Sequence, residues 1–438
     1  MTDGGPTATS TCMEVGPIAI PARVGPTDLP PPFAGTRVRL LYRLPVVHDV
    51  LAEIPPGWMA AAFLVMNWGA MAAVPVMGHP HGPAVVKLPQ LNIAQGRVVV
   101  AGQSHAADFA HQFHVAFSGR VSGSCVFSGQ PYHCAVERFV GDALVDLTPE
   151  SSVPRCDDCP DGKTLIYDHC KNHPQWIDVG RLPDYLRRAC GQNPITRTAC
   201  IDDPQSLLDA RVYLFRGTHD RCYLPGAVEN THALLAQLVT NPASQLKLVN
   251  TLPFPHTLPT NSTPFYNSST GAGYDGPGEC LRWVWADRPL ARAAPQPIPA
   301  NFLTFDQEEF MDVHDAGAGL QSVGYAYVPT RCRRLPVERA SSPCRLLLLP
   351  SGCHANQMGQ WAPGNSDAVF VRYAETNGFA VIKACVGGKV NLTKYPGANE
   401  VARGLLDVYG QLTEDYAMQS APHMRVIARI LRRAAGRQ

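Results

Sequence analysis

Charge is scarce in this chain. Asp, Glu, Lys and Arg make up 17% of its 438 residues, and 37 basic against 36 acidic side chains leave a formal charge of +1. So even a balance gives no electrostatic footprint for nucleic acid or an anionic membrane surface. No internal repeat is visible, which sets solenoid and propeller architectures aside. No secretory signal begins at Met1, and residues 1–36 are Pro/Gly/Thr-rich without periodicity, a composition that does not bury a core.

Other residues are plentiful. The 40 prolines and 37 glycines describe a loop-rich protein, and 45% apolar content is ordinary for a globular core. Thirteen of the 14 cysteines fall between Cys125 and Cys385. In an oxidising compartment such a set reads as disulfides; in a reducing one it reads as metal or redox chemistry. Sequons at Asn261, Asn267 and Asn391 lean toward the first, as does "WMAAAFLVMNWGAMAAVPVM", an uncharged run over residues 58–77. That run is open to three readings: an internal or mis-started signal sequence with Met59 as the start, a signal anchor following Arg37, Arg39 and Arg43, or a buried helix. Its small residues and lack of charge favour the signal. Residues 1–58 are then disordered or a gene-model extension, and 59–84 a signal or anchor.

From about Lys87 strands and helices alternate, the pattern of an α/β protein with a mostly parallel sheet. "RVVVAG" is a buried strand, and the helix after it sets Phe109, Phe113 and Phe117 four apart on one face. Strands also read at 124–129, 210–216, 245–250, 344–350 and 379–385, helices at 226–239 and 423–434. A cysteine-rich insertion spans 134–200, and a Pro/Ala-rich connection spans 286–300.

In open α/β sheets, functional groups gather beyond the C-terminal ends of parallel strands. Three such ends carry Ser104, Asp220 and His256, in the chain order of a hydrolase triad. A serine hydroxyl reacts only when an imidazole removes its proton, and that imidazole needs a carboxylate to fix its tautomer. Each residue alone has a plainer explanation: Ser104 as a helix N-cap, Asp220 as a turn residue, His256 as a loop histidine between prolines. The frame Gly102-Gln103-Ser104-His105-Ala106 also departs from Gly-x-Ser-x-Gly, with alanine in the last position. A rival cluster, Cys156-x2-Cys159 with Cys170-x2-His173, has zinc-ligand spacing, although disulfides are the preferred reading among so many cysteines.

Together these stretches resemble the extracellular poly(3-hydroxybutyrate) depolymerases that have a single, circularly permuted α/β-hydrolase domain. The likeness runs through "LPQLNIAQGRVVVAGQSHAADFAHQFHVAFS", "FSGQPYHCA", "ARVYLFRGTHDRCYLPGAVEN", "FPHTLPT", "GYDGPGECLRWVW", "CRLLLLPSGCH" and "YGQLTEDYAMQSAPHM". The resemblance implies Ser104 as nucleophile, His256 as base and Asp220 as its orienter, with the amides of His105 and Cys353 as oxyanion donors. It implies an α/β-hydrolase fold over 85–438, with the strands at 344 and 379 completing the sheet from the C-terminal side. It further implies a secreted esterase for a hydroxyalkanoate polyester or oligomer, or a related ester, needing no metal or organic cofactor. No nucleic acid or stable membrane partner is implied, unless 58–77 acts as an anchor. The chain departs from the family at Ala106, at His105 in place of a small residue, at Ser351 in place of the histidine of "HGC", and at "RGLLDVYGQL", which lacks Cys and Trp. A non-catalytic descendant that keeps the fold for binding is the alternative from another class.

Overall fold

The computed structural model describes residues 39–44, 47–53, 84–136, 170–183, 186, 200–260, 273–294, 296–333, 343–353 and 368–436. Two compact units divide the chain, Met13–Gly82 and a large one from Pro83 to Gln438 that also takes in Met1–Cys12. In the small unit β1 (Arg39–Leu44) and β2 (Val47–Glu53) pair antiparallel, with Leu41 opposite Leu51 and Tyr42 opposite Val50. The uncharged run at 58–77 lies outside the described residues.

The large unit is built on a nine-stranded sheet. Its interior strand β4 (Ile93–Gln103) is sixth in the order and is followed by helix α1 (His105–Ala116). On one side of β4 lie β5 (Val121–Phe127), β6 (Arg211–Phe215) and β7 (Leu246–Val249), each parallel to its neighbour. Helix α2 (Ala227–Leu235) follows β6 and ends four residues before the helix read at 226–239. Ala236 still has helical backbone angles there, but only single-turn bonds continue through Leu238.

The other side of β4 is filled from far along the chain. There β11 (Cys344–Leu348) runs parallel to β4, and β13 (Phe379–Lys383) parallel to β11. Beyond β13 come β10 (Val323–Tyr327), antiparallel, then β8 (Phe302–Asp306) and the short β3 (Val85–Val86). A small sheet joins β12 (Ser351–Gly352), β14 (Cys385–Val390) and β9 (Ala318–Leu320). This is the α/β-hydrolase sheet with its early strands supplied by the C-terminal half, the permuted arrangement implied by the sequence.

Burial follows the period of the strand. Val98 and Val100 join one core cluster with Phe109 and Phe113 of α1, with Phe117 just past its end, and with the apolar face of α5 (Pro422–Ala435). Val99 and Ala101 join another with α3 (Gly276–Val284) and α4 (Ala368–Asn377). A strand covered on both faces reads as a continuous apolar run, which is why "RVVVAG" shows no alternation. The Pro/Ala-rich stretch near 290 is fastened to α4, the Ala294 N–H donating to the Arg372 carbonyl at 2.8 Å.

Disulfides join Cys125 to Cys280, Cys134 to Cys170, Cys332 to Cys344 and Cys353 to Cys385. The second pairing overturns the zinc alternative as a four-ligand set, because the Cys170 sulfur is already bonded. Cys156 and Cys159 lie outside the described residues. Among those described, no helix is long and apolar enough to cross a membrane.

Candidate active site

Three strand ends are knitted together by their backbones. The Ser104 N–H donates to the Phe127 carbonyl at the end of β5, and the Ser128 N–H to the Phe215 carbonyl at the end of β6. Ser104 itself has φ 61° and ψ −136°, a conformation that non-glycine residues rarely adopt. It makes no side-chain cap bond to α1, so the plain N-cap reading of this serine falls away. A strained residue between a strand and a helix lifts its hydroxyl clear of the sheet edge, the geometry of a nucleophile elbow.

The missing elbow glycine has a local answer. A Cβ on Gly102 would lie 2.1 Å from the Ala106 carbonyl oxygen and 2.3 Å from its carbon, so Gly102 is where β4 and α1 touch. The Ala106 methyl points into the core instead, among the residues packed around Phe109 and Phe113. An alanine fits there because the close approach is made elsewhere.

Asp220 and His256 meet because their loops are laced. The Thr218 N–H donates to the Leu252 carbonyl at 2.8 Å and the His219 N–H to the Phe254 carbonyl at 3.1 Å. Gly217 permits this approach: a Cβ there would sit 1.9 Å from the Phe254 oxygen. His256 Nδ1 faces both Asp220 oxygens, at 2.9 and 3.1 Å, and His256 Nε2 lies 2.8 Å from Ser104 Oγ. With a carboxylate on Nδ1, that nitrogen carries the hydrogen, and Nε2 presents a lone pair to the serine hydroxyl.

The Asp220 side chain is fully buried and accepts further bonds from the Ser128 hydroxyl at 2.7 Å and from the N–H groups of Cys222 at 2.8 Å and Tyr223 at 3.0 Å. Burial pushes its pKa up, but the His256 ring, the Ser128 hydroxyl and the Tyr223 amide outweigh this, and the net direction is down. The Tyr223 ring stacks on His256 with centroids 5.5 Å apart and planes 5° from parallel. Asp220, Cys222 and His256 also form a compact group of metal-ligand types. Cys222 is disulfide-bonded and has no thiolate to offer, Asp220 faces His256, and His256 faces Ser104.

The two expected oxyanion donors part company. His105 begins α1, where its N–H has no intrahelical acceptor. Its ring is held aside, Nε2 accepting the Leu406 N–H at 2.8 Å, and its pKa is lowered to about 3 by burial and then by His423 and His256. The Cys353 N–H, by contrast, donates to the Val386 carbonyl at 3.1 Å. Cys353 extends the parallel pairing of β12 with β14, so its amide is engaged within that small sheet. Sequence reasoning also missed Ser128 and Gln103. Ser128 follows β5 directly and has φ 58°, so its place at a strand end was the available signal. Gln103 precedes the serine, and its Nε2 lies 3.3 Å from His256 Nε2.

Known proteins share this architecture. A poly(3-hydroxybutyrate) depolymerase from Delftia acidovorans is 25% identical over 375 residues, covering 84% of this chain and 65% of that protein. A polyhydroxybutyrate depolymerase from Talaromyces funiculosus is 22% identical, covering 68% of this chain and 77% of that protein. This chain is a relative of the poly(3-hydroxybutyrate) depolymerases. Solved structures of that family share its fold: a PHB depolymerase complexed with an R3HB trimer has a TM-score of 0.59 at 19% identity, and the Penicillium funiculosum enzyme 0.58 at 18%. Each match covers 80% of this chain and 98% of the solved one. The chain thus spans just under two thirds of the Delftia depolymerase but nearly all of the solved depolymerase domains. No family model matches.

Proposed function

We propose that this chain is a secreted serine esterase that cleaves the ester bonds of a hydroxyalkanoate polyester or its oligomers. The observation that carries the reading is the 2.8 Å contact between Ser104 Oγ and His256 Nε2 at a strained elbow, with Asp220 behind the imidazole. Ser104 Oγ attacks the ester carbonyl while its proton passes to His256 Nε2, and Asp220 stabilises the resulting imidazolium. The carbonyl electron pair moves onto oxygen, where the His105 N–H receives it. Collapse expels the alcohol, protonated by His256, and leaves an acyl-Ser104. Water, deprotonated by His256, then releases the acid. Every step uses side chains and amides of the chain itself.

The substrate class is supported by the relatives, which are named as depolymerases of poly(3-hydroxybutyrate), one of them complexed with its trimer. Secretion is supported by the disulfides, which persist in oxidising compartments. Asn391 of the third sequon is exposed, as a glycan acceptor must be.

A fluorophosphonate probe labels Ser104 in the wild type and leaves Ser104→Ala unlabelled. The Ser104→Ala and His256→Ala variants lose about 10⁴-fold or more in kcat on short p-nitrophenyl esters. A folded wild type that neither labels nor turns over would establish the non-catalytic alternative. Release of hydroxybutyrate from the polymer, set beside the short esters, decides the substrate.

A further inference from the structure

The oxyanion formed at Ser104 has one donor in the His105 N–H, and the Cys353 N–H is bonded to Val386. Two donors are the usual provision, and the structure offers another close to the reacting atoms. Gln103 is the last residue of β4 and continues the row of Val99 and Ala101, on the sheet face opposite α1. That row leads its side chain toward His256, where Nε2 of Gln103 lies 3.3 Å from Nε2 of His256.

This imidazole nitrogen therefore faces two groups. Asp220 holds the ring hydrogen on Nδ1, so Nε2 is an acceptor, and the Ser104 hydroxyl and the Gln103 amide both donate to it. We propose that Gln103 is a catalytic residue of this esterase: its amide N–H rests on His256 before reaction and turns to the oxyanion as His256 takes the serine proton. The proposal rests on Ser104 acting as the nucleophile.

The physical reason is the change at Nε2. As the Ser104 O–H bond breaks, its proton forms a new bond to Nε2, the Oγ–carbon bond forms, and the carbonyl π pair moves onto oxygen. Protonated Nε2 has no lone pair left, so the Gln103 N–H faces another N–H and is repelled. The amide is released at the step where a new anion appears beside it. Gln103 gives up no proton and takes none. An amide is suited to this, because its N–H donates without competing for the proton.

The full-length chain, its Gln103→Leu variant and its isosteric Gln103→Glu variant are compared on p-nitrophenyl butyrate and with a butyl boronic acid, whose tetrahedral adduct mimics the oxyanion. Loss of one oxyanion donor lowers kcat by about 10²- to 10³-fold with KM held within about threefold. Boronic acid affinity falls alongside kcat, and the Glu variant, which brings a negative charge toward the oxyanion, falls at least as far as Leu.

A Leu variant within about threefold of wild-type kcat overturns the proposal. So does a Glu variant that keeps its activity, which would make the side chain an acceptor, or a joint fall of kcat, KM performance and melting temperature, which would make it structural. Fluorophosphonate labelling separates this proposal from the reading beneath it. When the proposal alone fails, wild type still labels and turns over; when neither occurs, both fail.

Discussion

Helix α1 carries an acid sensitivity that follows from where its histidines sit. His111 and His114 are fully buried, and His133, in the turn after β5, is 1% exposed. Burial lowers the pKa of each to about 3, with His114 adding repulsion at His111. In the unfolded chain a histidine titrates near 6.5. Between those values the unfolded chain binds protons that the folded protein refuses. Their contribution is therefore intact above pH 6.5 and is lost as the pH falls from 6.5 toward 3.

Each such group costs about 1.4 kcal/mol per pH unit once well below 6.5, so the three together remove about 5 kcal/mol between pH 6.5 and 5. That is comparable with the whole stability of a typical domain, about 5–15 kcal/mol. Urea unfolding at a series of pH values measures it directly, as a midpoint falling steeply below pH 6.5. Neither ring nitrogen of His111 has a hydrogen-bond partner among the described residues. His111→Leu is thus expected to stabilise the protein by about 1–3 kcal/mol at pH 7 and to remove about a quarter of the slope, since buried His105 is lowered to about 3 as well. A urea midpoint that stays level from pH 7 to pH 5 would refute the reasoning. The effect bears on the proposed activity, because each ester cleaved releases a carboxylic acid and weakly buffered turnover would unfold the catalyst.

Two further outcomes test the elbow and the carboxylate. Gly102→Ala forces a Cβ onto the Ala106 carbonyl and is expected to cost about 1–3 kcal/mol in a denaturant melt and to abolish fluorophosphonate labelling, whereas Ala106→Gly labels as wild type does. Ser128→Ala removes a 2.7 Å bond to Asp220 and is expected to lower kcat about tenfold with KM unchanged; an unaltered kcat would show that the remaining donors suffice.

Ser104, Asp220 and His256 were legible because strand ends are legible: short apolar runs stopped by Gly, Pro or polar residues, in an order that chemistry recognises. What could not be read was direction. Whether the Cys353 amide points at a substrate or at Val386 depends on a backbone pairing between residues 33 apart, and no local signal encodes it. The buried flank of α1 was hidden for a related reason. The three phenylalanines mark one face, but β4, β5 and the C-terminal elements enclose the helix all round, so Asp108, His111, Gln112 and His114 are buried too. Likewise the spacing at Cys170 suits a zinc site or a disulfide equally, and only the nearness of Cys134 decides.

The order of strands also has a consequence for how the protein is made. The nucleophile's strand is complete by Gln103, yet the two strands that shield its far side begin at Cys344 and Phe379. During synthesis β4 must wait as a bare edge, with unpaired N–H and C=O groups, for most of the chain's length. A chain that stops short of Cys344 would hold the whole triad in sequence and still be unable to form the sheet that strains Ser104. Such fragments are expected to aggregate through β4, so the same topology makes this protein's activity report on its own completeness.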